Sequence, residues 1–206
     1  MCLGNTASNL QSNACKKNAL TLSALIKASL MCGIIVFLAY VVIPLPFSPV
    51  PVTLQSLGVM MAGLALGPAL GTWAVLIYLA LGFIGLPVFA GGRSGLGALL
   101  GPSGGYLLGF LPGAWVTGML SSRGEQQSHG PAKARLLPVY LVSSMLGGIA
   151  VVHTIGVLYL AKTTGMPLSQ AMLVGTVPFL PGDIFKSLLA SILARKSKDV
   201  RKHLRA

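Results

Sequence analysis

Long apolar runs, separated by breaks rich in proline and glycine, constrain this chain more than any other feature. Several of the runs approach or exceed the roughly 20 residues that an α-helix needs to cross a bilayer. Only 9% of the 206 residues are charged and the mean hydropathy is +0.80, whereas an ordinary soluble domain carries about 25% charged residues. The sequence therefore predicts an all-α membrane protein with a single membrane domain.

Six membrane spans are predicted, at about residues 20–43, 53–66, 69–84, 106–120, 136–161 and 168–194. Residues 44–51 hold four prolines, which exclude a regular helix there, and residues 87–105 hold seven glycines. We interpret the latter as a loop, re-entrant or with a short helical piece. Pro178 and Pro181 are expected to kink the sixth span. The predicted organisation is a polar leader at 1–19, a membrane domain at 20–194 and a basic tail at 195–206.

The charge distribution predicts the orientation of these spans. Eleven of the 15 lysines and arginines fall in the leader, in the loop after span four or in the tail, and the opposite loops hold only Arg93 and Lys162. Cytoplasmic segments of membrane proteins carry such an excess of basic residues, so both termini are predicted to be cytoplasmic. Basic clusters of this kind also attract anionic lipid headgroups, and their placement argues against nucleic-acid binding despite the net charge of +12.

Asp183 and Lys186 form the most informative pair of polar residues. They lie in an apolar run, and Asp183 is one of only three acidic residues in the chain. Residues at i and i+3 share one face of a helix. Ionisable groups at membrane depth are costly and usually face the protein interior or a functional site. The pair therefore predicts a polar, ligand-binding position in an otherwise apolar protein.

Other polar residues are weaker candidates. Arg93 is the cation of the glycine-rich loop and could bind a carboxylate in a bidentate manner, although it could equally face water or headgroups. Gln55 and Tyr78 could contact a polar ligand or be satisfied within the bundle. Small residues recur in Ala24-x-x-x-Ala28 and in two glycine stripes, at 63, 67 and 71 and at 105, 109 and 113. Such residues let membrane helices approach closely, either within the chain or, at Ala24 and Ala28, against another subunit.

Several classes of chemistry have little support in the sequence. There is no Gly-x-x-x-x-Gly-Lys-[Ser/Thr] phosphate loop, so nucleotide energy for active transport would have to come from another chain. The three cysteines show no Cys-x-x-Cys spacing, which argues against a zinc site or a disulfide framework. The Gly-x-Ser-Gly pattern around Ser94, with His153 as a base, fits an intramembrane serine protease. That match is weak, since Ser94 lies in a loop and acyl transfer would need both groups within hydrogen-bond reach.

Four motifs carry a resemblance to a known family. They read Pro-Val-Pro-Val-Thr-Leu-Gln at 49–55, Gly-Leu-Pro-Val-Phe-Ala-Gly-Gly at 85–92, Gly-Pro-Ser-Gly-Gly-Tyr at 101–106, and Pro-Gly-Asp-x-x-Lys at 181–186. In this order the motifs resemble the BioY family, the biotin-specific S components of energy-coupling-factor (ECF) transporters. The resemblance covers about residues 20–194.

The resemblance implies a six-helix S-component bundle in a prokaryotic cell membrane, with biotin as its transported ligand and no catalytic activity or cofactor. It implies two further kinds of partner, a transmembrane coupling subunit and two ATPase subunits, with Ala24 and Ala28 at the coupling contact. The proline-rich segment 44–51 would cover the ligand. An S component for another vitamin-like solute is the alternative. The residues implied to bind substrate are Asp183, Lys186, Arg93, Gln55, Tyr78 and Gly92.

Overall fold

The computed structural model describes the backbone of residues 4–127 and 136–203 and the side chains of residues 22–127 and 136–198. The part of the loop at 128–135 and the ends of the leader and tail lie outside the described residues. In chain order the elements are α1 (Gly4–Ala39), β1 (Val42–Ile43), β2 (Val52–Thr53), α2 (Gln55–Ile84), a 3-10 turn (Ala90–Gly92), α3 (Leu96–Leu100), α4 (Gly104–Gln127), α5 (Leu136–Ser144), a π-helix (Met145–Val151), α6 (Val152–Thr164), α7 (Leu168–Gly175) and α8 (Leu180–His203).

Three helices in the described ranges are long and apolar enough to cross a membrane: Leu22–Ala39, Gln55–Ile84 and Leu136–Thr164. The α7–α8 pair passes the same test as one broken span, bent by 52°. These helices confirm the prediction of a mostly helical membrane protein. The bend lies next to Pro178 and Pro181, as expected.

Helix α2 folds back on itself at Gly67. This residue has φ +82° and ψ −178°, outside the helical region, and Pro68 follows it. Gln55 and Tyr78 hydrogen-bond although they are 23 residues apart, whereas a straight helix would separate them by about 34 Å. The two limbs, 55–66 and 68–84, therefore lie side by side. They correspond to the second and third predicted spans.

The glycine stripes pack helices of this chain against one another. A Cβ at Gly63 would lie 2.7 Å from the carbonyl oxygen of Ala114, and a Cβ at Gly118 would lie 2.5 Å from the nitrogen of Pro68. Both distances are too short for a real side chain, so α2 and α4 approach closely because these residues are glycines. Gly105, Gly109 and Gly113 bring α4 against the π-helix and α6 in the same way. Packing within the chain accounts for both stripes.

The proline-rich segment is not helical, as predicted, but its flanks pair as two short strands. Val42 pairs with Thr53 and Ile43 with Val52 in an antiparallel ladder. Helix α1 consequently ends at Ala39, and the predicted end of span one at residue 43 is wrong because the chain is already extended for this pairing. The resulting β-hairpin, residues 42–53, covers one end of the helices.

Candidate functional site

A cavity of about 650 Å³, counting the space at its open mouth, lies beneath the β-hairpin. The hairpin, the start of α2, the glycine-rich loop, α4, α6 and α8 all contribute to its wall. The polar and charged side chains of this wall are Thr53, Gln55, Ser56, Arg93, Ser103, Tyr106, His153, Asp183 and Lys186.

Asp183 and Lys186 project into the cavity from the first turns of α8. Their side chains lie on the same face of the helix, and Nζ of Lys186 is 2.8 Å from Oδ1 of Asp183. The position of Asp183 in the first turn suits a carboxylate, because the N-terminal end of a helix attracts negative charge. Both residues are nearly inaccessible, with 3% and 5% of their surfaces exposed. The pair therefore places one negative and one positive group at the inner end of the cavity.

Ser56 and His153 complete a four-residue cluster around this pair. The hydroxyl of Ser56 donates to Oδ1 of Asp183 at 3.1 Å and accepts from Lys186 at 3.2 Å. Nε2 of His153 lies 2.8 Å from Oδ2 of Asp183. Neither Ser56 nor His153 is among the substrate-binding residues predicted from the sequence. Neither contact is visible in sequence, since α2, α6 and α8 bring these side chains together only in the folded chain.

Gln55 lines the cavity, whereas Tyr78 lies behind it. The amide of Gln55 donates to the hydroxyl of Tyr78, and the hydroxyl of Thr53 donates to Oε1 of Gln55 at 3.1 Å. Tyr78 is fully buried and is absent from the cavity wall. Tyr78 therefore orients the Gln55 amide from behind rather than facing the cavity itself.

Aromatic rings form much of the remaining wall. Tyr106 lies edge-on to the His153 imidazole with centroids 5.7 Å apart, and it stacks against Phe179 at 6.4 Å. The Tyr106 hydroxyl donates to the carbonyl of Gly175 at 2.6 Å, which fixes the ring. Phe89 supplies apolar surface from the glycine-rich loop and packs edge-on against Tyr78. The cavity thus combines a polar inner end with apolar sides.

Arg93 lies in the wall of the cavity on the loop side and is exposed. Its guanidinium forms no hydrogen bond or ion pair with the part of the chain that the structure describes, so it is available to an anionic group. Gly92, next to it, is not part of the wall. It has φ +80°, a conformation that favours glycine, and its amide donates to the carbonyl of Phe89 at 2.9 Å. Gly92 therefore shapes the loop that carries Phe89 and Arg93.

The two alanines of α1 differ in their accessibility. Ala28 is only 2% exposed and belongs to the core of the bundle, whereas Ala24 is half-buried. Lys27, between them, is also half-buried. Ala24 is therefore partly accessible on the surface of α1, whereas Ala28 packs within this chain.

The arrangement does not favour the protease alternative. Ser94 is exposed in the glycine-rich loop, and Nε2 of His153 is occupied by Asp183. No hydrogen bond joins Ser94 to His153 within the described ranges. Among the described residues, no serine, threonine or cysteine hydrogen-bonds to this imidazole, so the groups that a serine protease needs are not brought together.

Fold and site together define a helical membrane protein that encloses a small-molecule site with charged groups at its inner end. A sequence model of the BioY family matches residues 12–203. The chain belongs to the BioY family.

Relatives and a solved structure agree with this membership. A biotin transporter BioY from Rhizobium etli is 44% identical over 172 residues, which cover 83% of this chain and 90% of the relative. One from Rhodobacter capsulatus is 43% identical over 178 residues, covering 81% and 88%. The crystal structure of an S-component for biotin from an ECF-type ABC transporter superposes with a TM-score of 0.79 at 33% identity, covering 88% of this chain and 94% of that one.

Proposed function

We propose that this chain is the substrate-binding membrane subunit for high-affinity biotin uptake. Membership of the BioY family and the names of its relatives support a transport role. The observation that carries the proposal is the buried cluster of Asp183, Lys186, Ser56 and His153 at the inner end of the cavity. It offers a carboxylate acceptor beside an ammonium donor, and this set matches a ligand that has both N–H donors and a carbonyl acceptor.

Biotin presents such groups on its ureido ring, together with an apolar thioether ring, an alkyl tail and a terminal carboxylate. In the proposed complex Asp183 accepts from a ureido N–H, and Lys186 donates to the ureido oxygen. The rings of Tyr106 and Phe89 contact the apolar parts. Arg93 binds the carboxylate of the tail near the mouth, where its guanidinium has no competing partner among the described residues.

Gln55, Tyr78 and Gly92 support this site in different ways. Gln55 offers its amide to the ligand from the cavity wall, and Tyr78 holds that amide in place. Gly92 allows the turn that brings Arg93 to the mouth. The β-hairpin acts as a lid, because Val50 at its inner side is buried and lines the cavity.

We infer six membrane spans with both termini in the cytoplasm of a prokaryotic cell, in the plasma membrane. The two limbs of α2 count as two separate spans. Helix α4 is a further span, beside α1, the Leu136–Thr164 helix and the α7–α8 pair. This count leaves the eleven clustered basic residues on one side, as the positive-inside rule requires. It leaves Arg93 and Lys162 on the other side, with the mouth of the cavity.

The proposed partners are a transmembrane coupling subunit and two ATPase subunits, which supply the energy because this chain has no phosphate loop. The half-buried Ala24 offers a small-residue contact to the coupling subunit, and the buried Ala28 lets α1 approach α2. Ala24→Trp is expected to reduce copurification of the coupling subunit while biotin binding persists. Unchanged copurification would contradict docking at this face. The chain itself is proposed to perform no reaction.

Competition in whole cells tests the substrate. Cells that produce the chain with its partner subunits are expected to accumulate labelled biotin, and excess unlabelled biotin is expected to block this uptake. Excess riboflavin or thiamine is expected to leave it unchanged. Accumulation of labelled riboflavin or thiamine, with no accumulation of labelled biotin, would identify an S component for a different vitamin.

A further inference from the structure

His153 has one nitrogen that is bonded and one that is not. Nε2 lies 2.8 Å from Oδ2 of Asp183, whereas Nδ1 is buried without a hydrogen-bond partner among the described residues. A buried N–H without an acceptor is rarer in proteins than a buried acceptor without a donor. Because an ionised carboxylate only accepts hydrogen bonds, the N–H that faces Asp183 is on Nε2, and Nε2 donates to Asp183.

The contacts that Asp183 makes with the described residues leave one acceptor position free. A carboxylate has about four such positions, two on each oxygen. Oδ1 accepts from Lys186 and Ser56, and Oδ2 accepts from His153. The remaining position is on Oδ2, beside the imidazole of His153. A donor group of a ligand in the cavity would therefore meet Asp183 next to this ring.

The imidazole is itself held in place by its neighbours. The rings of Tyr106 and Phe179 lie 5.7 Å and 6.1 Å from it, centroid to centroid. Of the residues around the ligand cavity, His153 alone also lines a second, apolar cavity between the Leu136–Thr164 helix and α7–α8. It thus forms the wall between the two spaces, and its only described polar contact points toward the ligand side.

We infer that His153 is a positioning residue for the ligand: its Nε2–H fixes the Asp183 carboxylate so that Oδ2 accepts a ring N–H. This inference rests on the proposed function, with the ureido N–H of biotin as the donor. Without the imidazole, Asp183 can rotate toward Lys186 and Ser56, and the free position on Oδ2 no longer points into the cavity.

Two substitutions with side chains of similar length separate the effect of losing the N–H donor from the effect of changing the side-chain volume. His153→Gln keeps an N–H that can reach Asp183, whereas His153→Met does not. We expect His153→Met to weaken biotin binding about 10- to 100-fold, as for a lost hydrogen bond to a charged group, and His153→Gln to recover most of that loss. Equilibrium dialysis of purified protein with labelled biotin measures both. Equal binding by the two variants would overturn the inference.

Ligand analogues test whether His153 acts through Asp183. Two lactam analogues of biotin each replace one ureido N–H with CH₂. The analogue that lacks the N–H bound by Asp183 should bind His153→Met almost as well as it binds wild type. Biotin and the other analogue should bind His153→Met about 10- to 100-fold more weakly than they bind wild type. An equal loss for all three ligands would mean that His153 acts only as scaffold, and would overturn the inference.

Two controls keep this result distinct from failure of the proposed function. Wild-type protein that does not bind biotin would overturn the proposed function, and the inference with it, before any variant is compared. If wild type binds biotin and the affinity of His153→Met is within about threefold of the wild-type affinity, only the inference is overturned. If His153→Met does not fold, ¹⁵N NMR of the wild-type imidazole replaces it. The Nε2 resonance should shift on biotin addition, and an unchanged resonance would overturn the inference.

Discussion

Asp183 and Lys186 neutralise each other at a depth where either charge alone would be costly. Their side chains are only 4% and 6% exposed and their charged atoms are 2.8 Å apart. Removal of one partner from a buried pair typically costs about 3–5 kcal/mol, because the remaining charge is left uncompensated. Replacement of both partners is far less costly. Stability and binding should therefore respond differently to single and double substitutions.

We predict that Asp183→Asn lowers the free energy of unfolding by about 3–5 kcal/mol and abolishes biotin binding. The double variant Asp183→Asn, Lys186→Met should recover most of the stability without recovering binding. Denaturant unfolding in mixed micelles, followed by tryptophan fluorescence, measures the first effect. Glu125→Gln is the control, since the Glu125–Lys198 pair is partly exposed and should cost less than about 1 kcal/mol. A double variant as unstable as Asp183→Asn would contradict this account.

The central pair was predictable from sequence, but its partners were not. Asp183 and Lys186 stand out because both are ionisable, lie in an apolar run and share a helix face at i and i+3. Ser56 and His153 are 127 and 30 residues away from Asp183 in sequence. A serine and a lone histidine in apolar helices are usually satisfied locally, so only the fold identifies these two as partners of a carboxylate.

At the scale of elements, Gly82 determines where the glycine-rich loop can sit. A Cβ on this residue would overlap the ring of Phe89, which lines the cavity. We predict that Gly82→Ala displaces Phe89 and weakens biotin binding about tenfold or more, in the range of a lost buried side-chain contact. Equilibrium dialysis measures the loss. Gly97→Ala is the matched control, because a Cβ there has open space around it. Similar affinities for the two variants would show that Phe89 does not shape the site.

The β-hairpin should close over bound biotin. Val50 is 5% exposed and lines the cavity, whereas Phe47 near the tip is 61% exposed. In a background without native cysteines, Val50→Cys should react with a thiol reagent more slowly when biotin is present. Phe47→Cys should react at the same rate with and without biotin. A Val50→Cys rate that does not depend on biotin would count against a lid.

The lengths of the apolar runs and the positions of the prolines predicted most of the helices. In lipid, a single segment can satisfy its own backbone hydrogen bonds only as an α-helix. The two-residue strands at Val42–Ile43 and Val52–Thr53 and the π-helix at Met145–Val151 were not predicted. The strands exist only because each pairs with the other, with Val42 opposite Thr53 and Ile43 opposite Val52. The π-helix brings Gly147 against Thr117, a contact between α4 and the following span that no local pattern records.

At the scale of the whole molecule, the orientation follows from where the basic residues lie. We predict that fluorescent-protein fusions at the C-terminus and within 128–135 fluoresce, and that alkaline phosphatase fused there is inactive. A phosphatase fusion after Lys162 should be active, because the loop at 165–167 is predicted to lie outside the cytoplasm. An active phosphatase at the C-terminus would contradict six spans with cytoplasmic termini.

Isothermal titration of the purified chain with biotin tests the central claim, that the Asp183–Lys186 pair binds the polar groups of this ligand. We predict one biotin per wild-type chain and no measurable heat of binding for the folded Asp183→Asn, Lys186→Met variant. Retention of wild-type biotin affinity by that double variant would contradict the claim.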